Sequence, residues 1–339
     1  MDHNGNQPIL SVRGLRTYFL QDEGTVQAVE DVSFDVYKGR TLGIVGESGC
    51  GKTVTAKSIL RIVEPPGRVV QGEILLRKSL YSGQRKVQNL TKMKSSGKEI
   101  RAIRGADIAL IFQEPMTSLS LVHTVENQIV EAIQLHQEID KHEARLRAIE
   151  LLHSVGIPRP ERTIDMYPFE LSGGLRQRVV IAMALSCEPE ILIADEPTTA
   201  LDVTTQAQIL DLLRALQEEK GMAIILITHN MGVIAEMCDD VAVMYLGYVV
   251  ERGPIDDIFH SPKHPYTKAL LKSIPSVLST PRTRLPTIEG AIPHPYARPS
   301  GCPFYPRCPD FIPGTCDASQ AESVLIDKQV VRCFLYNGA

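Results

Sequence analysis

Nowhere does the sequence run for the ~20 uninterrupted apolar residues that a bilayer-crossing helix needs. The polar start Met1–Gln7 lacks the basic-then-apolar pattern of a secretory signal, so the expected place is the cytosol. Excess charge of one sign is missing too. A formal net charge of -4 gives no bulk electrostatic reason to bind nucleic acid or an anionic membrane. There is no internal repeat and no heptad run, which leaves aside solenoids and coiled coils. A disulfide framework is not expected of seven cysteines in a reducing compartment. What remains is an ordinary globular chain of 339 residues, 43% hydrophobic, long enough for one large domain and an appendage.

Apolar alternation in Ala28–Val36 and the turn Lys38-Gly39 read as short strands. Thr41–Val45 reads as a buried strand and Thr53–Val63 as a helix, stopped by Pro65-Pro66-Gly67. Arg77–Arg104 is rich in Lys and Arg without periodicity; a nucleic-acid patch is one meaning, and solvated loop or hairpin surface the commoner one. Helical spacing marks Val125–Val155, through Ile129, Ile133, Leu146, Ile149 and Leu152. Val179–Leu185 and Thr204–Glu219 read as helices, Ile191–Ala194 and Ala223–Thr228 as buried strands. This alternation predicts a mainly parallel α/β sheet with ligands at the carboxyl ends of its strands. Beyond Pro262 the chain turns Pro-rich, which sets the expected division at 1–261 and 262–339.

Between the strand at 41–45 and the following helix lies Gly46-Glu47-Ser48-Gly49-Cys50-Gly51-Lys52-Thr53, a complete G-x-x-x-x-G-K-[ST] phosphate loop in the required context. Its glycines let backbone N–H groups turn onto phosphate oxygens, Lys52 reaches the β- and γ-phosphates of ATP, and the Thr53 hydroxyl is a Mg²⁺ ligand. Ile191–Glu196 is an apolar strand delivering two carboxylates. Asp195 suits Mg²⁺, and Glu196 suits the attacking water. His229 follows another buried strand, so it too would stand at a carboxyl end. Ser172-Gly173-Gly174 opens a helix and offers a second anion site.

Leu171-Ser172-Gly173-Gly174-Leu175-Arg176-Gln177-Arg178, just before the Asp195-Glu196 strand, resembles the signature sequence of ABC-type ATPases. The resemblance covers about Ile9–Asp257. It implies a P-loop nucleotide-binding fold with a RecA-like core, an antiparallel β-subdomain and a helical subdomain at about 115–180. It further implies that Gln113 is the glutamine contacting Mg²⁺ and the attacking water, that Ala200-Leu201-Asp202 is the D-loop, and that His229 touches the γ-phosphate. Phe19, with Tyr18 beside it, takes the place of the aromatic that stacks on adenine. Two such ATPases pair head to tail, each ATP lying between one subunit's phosphate loop and the other's signature helix with Ser172, Gly173, Gly174 and Gln177.

Ile111–Leu119 and His264–Leu271 narrow the resemblance to the dipeptide/oligopeptide importer ATPases, whose relatives also carry nickel. The implied partners are a second, paralogous ATPase, two membrane permease subunits and, indirectly, an extracytoplasmic solute-binding protein. The implied place is the cytoplasmic face of the membrane. A soluble ABC ATPase acting on ribosomes or DNA is the competing reading, set aside because only one cassette is present. Departures from the family pattern are Leu121 for proline, Phe169 for histidine, Leu175 for methionine and Asn230 for aspartate.

Four of the cysteines, Cys302, Cys308, Cys316 and Cys333, are spaced C-x5-C-x7-C-x16-C, which is neither a paired zinc pattern nor a ferredoxin run. Some ATPases of the resembled type carry a [4Fe–4S] cluster in such a tail, and four thiolates also suit Zn²⁺. Either would cross-link a loop-rich extension with little core of its own. Cys50, Cys187 and Cys238 read as ordinary small residues.

Overall fold

The computed structural model describes residues 7–79, 85–113, 118–199, 201–274 and 288–336. The polar start before residue 7, residues 114–117 of the glutamine segment, and Ala200 of the D-loop lie outside them. The chain forms two compact units. One gathers residues 1–37, 41–92 and 227–339, and the other 38–40 and 93–226.

In the first unit, β1 (Leu10–Gln21) pairs antiparallel with β2 (Gly24–Val36). β3 (Thr41–Val45) is buried at every residue and leads through the glycine loop into α1 (Lys52–Ile59). The helix stops four residues short of the expected Val63 because Leu60 caps it and Arg61 turns to a positive φ of 56°. β4 (Gly67–Ser79) pairs with β1 and with β5 (Arg85–Asn89), so the order is β2-β1-β4-β5. The basic run from Arg77 is therefore in part an antiparallel edge, with Lys86 exposed and Arg77 half-buried against Ser11.

In the second unit, α2 (Lys98–Ile103) precedes β6 (Ile108–Ile111). The expected helical stretch is two helices, α3 (Val125–Gln134) and α4 (Lys141–Ser154), separated where Asp140 caps α4 by accepting from the Glu143 N–H at 2.8 Å. A single turn, α5 (Pro160–Thr163), leads on to α6 (Gly173–Ala184). β7 (Ile191–Asp195), buried throughout, pairs parallel with β6, and α7 (Val203–Lys220) follows it. α7 closes on Gly221 at φ 63°, a left-handed cap that glycine adopts without strain.

β8 (Ala223–Thr228) carries the chain out of the second unit. Back in the first come α8 (Met231–Met237), β9 (Asp240–Tyr245), β10 (Tyr248–Pro254), α9 (Ile255–His260) and α10 (Pro265–Lys272). β11 (Ser323–Ile326) and β12 (Gln329–Arg332) form a final hairpin. β3 pairs parallel with β9, and β9, β10, β12 and β11 follow in antiparallel order. The extension thus adds two strands to the sheet that carries the glycine loop.

An aromatic knot fastens the extension. Phe304, wholly buried, meets Tyr245 at 5.2 Å and Tyr266 at 5.3 Å between ring centroids, both edge-on. Burying a side chain of that size stabilises by ~1.5–3 kcal/mol, with more from the edge contacts. Beside it the chain passes so close to itself that a Cβ on Gly301 would stand 2.0 Å from the Cys316 carbonyl oxygen. Only glycine fits there.

Candidate nucleotide site

The loop after β3 is built for close approach. A Cβ at Gly46 would meet the Met244 carbonyl oxygen at 2.1 Å, and one at Gly51, φ 103°, the Ala28 carbonyl oxygen at 2.2 Å. The Cys50 carbonyl accepts the Gly247 N–H at 2.8 Å, which fixes the loop to the β9–β10 turn. Lys52 is buried, and its Nζ donates to the Gly46 carbonyl at 2.8 Å and the Glu47 carbonyl at 3.2 Å. Its charge therefore lies across the loop's own concave backbone, where a phosphate would take it over. Thr53 stands in the first turn of α1, whose unsatisfied N–H groups and positive dipole end favour an anion. Burial raises the pKa of Cys50, so it stays a neutral thiol beside that charge.

Successive residues of a strand face opposite ways, which separates the two aromatic candidates. Thr17, on one face of β1, hydrogen-bonds Ser58 of α1 at 2.8 Å, and Phe19 shares that face, against Gly67 and Val63. Tyr18 lies on the other face, where its hydroxyl donates to Glu30 at 2.5 Å. Burial, then that bond, push its pKa up to about 12.

Within the second unit Asp195 ends β7 as a buried carboxylate. Glu196, next to it, adopts φ 47°, a left-handed conformation uncommon for a non-glycine residue and often found at functional sites. Its Oε2 accepts from Gln113 Nε2 at 3.2 Å and from Thr199 Oγ1 at 2.9 Å. The structure thus brings the glutamine and the glutamate of the sequence reading together. Oxygen donors of this kind, a carboxylate, a hydroxyl and an amide carbonyl, suit Mg²⁺.

Ser172 caps α6 by accepting the Leu175 N–H at 3.4 Å, and Ser172 and Gly173 are exposed. Gly174 touches α7: a Cβ there would come within 2.7 Å of Thr205 Cγ2. Asp202 caps α7, accepting from the Thr205 N–H at 2.9 Å and its hydroxyl at 2.6 Å. Gln177 is placed differently from the exposed end of the signature. It is 1% exposed, on the core face of α6, and not beside Ser172.

His229 follows β8, and Asn230 caps α8 by accepting from the Gly232 N–H at 2.9 Å and the Val233 N–H at 3.4 Å. An amide oxygen therefore serves the turn where the family pattern has an aspartate. Phe169, in place of histidine, is exposed and stacks on Tyr167 at 5.4 Å and 12°.

The cysteine expectation is not supported. The Cys302 N–H donates to the Cys316 carbonyl at 2.7 Å, and burial raises the pKa of the Cys302 thiol, with Cys316 adding to the rise. Yet among the described residues no three His, Cys, Asp or Glu side chains are grouped so as to hold a metal ion. Burial first, then neighbouring thiols, push Cys308 up to about 12 and Cys333 up to about 11, as protonated groups. The knot around Phe304 and the backbone bonds beside it order the extension.

Sequence reasoning missed Arg307, Tyr266 and the partner role of Glu47. Arg307 Nη1 and Nη2 donate to the two Glu47 carboxylate oxygens at 2.7 and 3.1 Å, and the Glu47 N–H donates to the Tyr266 hydroxyl at 3.0 Å. The only sequence signal was the His264–Leu271 resemblance, which contains Tyr266.

Residues 29–199 match the ABC transporter family, and residues 250–316 match the oligopeptide/dipeptide transporter C-terminal region. Over 97% of its length the chain is 47% identical to the dipeptide transport ATP-binding protein DppD of Bacillus subtilis, covering 95% of that protein. The chain belongs to the ABC transporter family, in its oligopeptide/dipeptide branch. The DppD of Escherichia coli is 45% identical over 96% of both chains, and the oligopeptide transport ATP-binding protein AppD of B. subtilis 46% over 97% of both. Among solved structures, the dimeric bacterial ABC transporter cassette MJ0796 aligns with 73% of this chain and 98% of its own at TM-score 0.61 and 26% identity. Clostridium perfringens cbiO1 aligns with 75% of this chain and 91% of its own at TM-score 0.60 and 29% identity. The fold is the ABC-type P-loop α/β domain with the family's C-terminal region, and the chain is an ABC transporter ATPase. Among the described residues no helix is long and apolar enough to cross a membrane.

Proposed function

We propose that this chain powers uptake of dipeptides or oligopeptides, hydrolysing ATP at the cytoplasmic face of a membrane against two permease subunits. The observation that carries the solute class is the C-terminal region, matched as that of oligopeptide/dipeptide transporters and built into the same unit as the phosphate loop. In this reading Gly46–Thr53 hold the phosphates of ATP and Phe19 stacks on the base; Thr53, Gln113 and Asp195 would be the ligands of Mg²⁺, which would supply charge neutralisation at the γ-phosphate. Glu196 takes the proton of the attacking water, Gln113 orients that water, and His229 contacts the γ-phosphate. Ser172, Gly173 and Gly174, with the capped Asp202, face the ATP of a second ATPase, a paralogue in the opposite orientation. Gln177 supports the signature helix from its core side.

A stacked and exposed aromatic pair of the second unit, Phe169 at 59% and Tyr167 at 39%, favours a docked partner. The test is co-expression with the permeases and a solute-binding protein in proteoliposomes. Uptake of labelled dipeptide with matching ATP consumption supports the reading, and peptide-independent hydrolysis with uptake of nickel alone overturns the peptide assignment.

A further inference from the structure

Glu47, the second residue of the phosphate loop, is held through three groups. Its carbonyl accepts from Lys52, its N–H donates to the Tyr266 hydroxyl, and its carboxylate takes both Nη of Arg307. Two of the three holds come from beyond residue 262. The Arg307 side chain is 3% exposed and its donors are all engaged, since Nη1 also reaches the Tyr245 hydroxyl at 3.3 Å, Nη2 the Ile288 carbonyl at 3.3 Å and Nε the Glu289 carbonyl at 3.0 Å. The guanidinium stands 5.8 Å from the centroid of the Tyr245 ring. Burial alone would lower its pKa, but Glu47 and Tyr245 outweigh that and raise it, so the cation is permanent.

This seam has two physical effects on the loop. A glycine-rich loop that must be ordered on binding loses affinity to that ordering, and a loop already held in place does not. Glu47 also sets a carboxylate among groups that must receive a polyanion. Left alone it would repel the phosphates; paired bidentately with Arg307, its charge is cancelled where it stands.

We propose that Arg307 and Tyr266 are positioning residues for nucleotide binding, through which the C-terminal extension sets the affinity of the phosphate loop for ATP. They act through Glu47 and touch no phosphate. Loss of Arg307 is worse than loss of the pair, because it leaves the Glu47 charge exposed to the ligand.

The experiment is equilibrium binding of Mg-ATP to the full chain, with thermal melting in parallel. It rests on Gly46–Thr53 being the phosphate loop, which Lys52→Ala checks separately. Arg307→Met is expected to weaken binding about tenfold, and Glu47→Gln with Arg307→Met to return it to within about threefold of wild type. Arg307→Lys keeps the charge without the planar fork and is expected to fall between, which carries the test should Arg307→Met not fold. Arg332→Gln breaks another ion pair of the extension, to Asp31, and is expected to leave affinity unchanged. In the assembled transporter the Arg307 variants raise the KM for ATP while kcat holds. Wild-type affinity in both Arg307 variants, or an equal loss in Arg332→Gln, overturns the proposal. If Lys52→Ala also binds normally, it is the loop assignment that has failed.

Discussion

The Gln113 amide donates to the Glu196 carboxylate at 3.2 Å, joining a residue just past β6 to one just past β7. Because β6 and β7 pair in parallel, with Ile111 opposite Ala194, both side chains leave the sheet at the same end. Glu196→Gln is expected to bind ATP as wild type does and to lose turnover by about 10²–10⁴, the range for a missing general base. Phosphate release and nucleotide binding, measured on the same preparation, check it; hydrolysis at the wild-type rate would remove Glu196 from the base role.

Phe19 and Tyr18 make an internal comparison. Phe19→Ala is expected to weaken ATP binding about 5- to 100-fold, the span of one base–aromatic stack, while Tyr18→Phe stays within about twofold. Titration with unlabelled ATP reads both. The reverse ranking would move the base to the other face of β1.

Ser172→Ala removes the cap of α6 and is expected to lower stability by about 1 kcal/mol. In the isolated chain ATP binding should be unchanged. In the assembled transporter hydrolysis should drop about 10- to 100-fold, as the partner's nucleotide loses a hydrogen bond to a charged group. An unaltered rate there would argue against head-to-tail pairing.

His264 is wholly buried, and its Nδ1 accepts the Tyr266 N–H at 3.0 Å. Burial, then the charge of Lys268, lower its pKa to about 3, against about 6.5 in an unfolded chain. Between those values the unfolded state binds a proton that the folded state refuses. Stability is therefore intact above about pH 6.5 and lost progressively as the pH falls towards 3. His264→Asn keeps an acceptor at the cap without the titration, so its melting temperature should decline less than wild type between pH 7 and pH 5. Parallel slopes would assign the acid sensitivity elsewhere.

Buried strands with one task were the most legible elements. Thr41–Val45 and Ala223–Thr228 are read to the residue, and Ile191–Asp195 to within one, because unbroken β-branched and Leu runs between turn signals have few other uses. β4 and β5 were not legible. Their charged outward positions obscure the period of two, and Arg77, which donates to Ser11 at 2.8 Å, reads locally as loop surface. β6, four residues long, is too short for any period to show. The motif residues can be named from spacing alone, but spacing does not say which side chain is turned inward: Gln177 is buried where Ser172 is exposed, and Tyr18 lies on the face of β1 opposite Phe19. Arg307 could not be found at all. Its meaning depends on a contact with Glu47 that no local pattern encodes.

That contact spans 260 positions. At roughly 5–20 residues per second of synthesis, Glu47 is added to the chain about 13 to 50 seconds before Arg307. Throughout that interval the nascent chain carries a phosphate loop with its acidic residue unneutralised. A chain stopped before residue 307 would carry every residue of the phosphate loop without the cation that pairs Glu47, so on the proposed role of Arg307 it would bind ATP more weakly than the full chain.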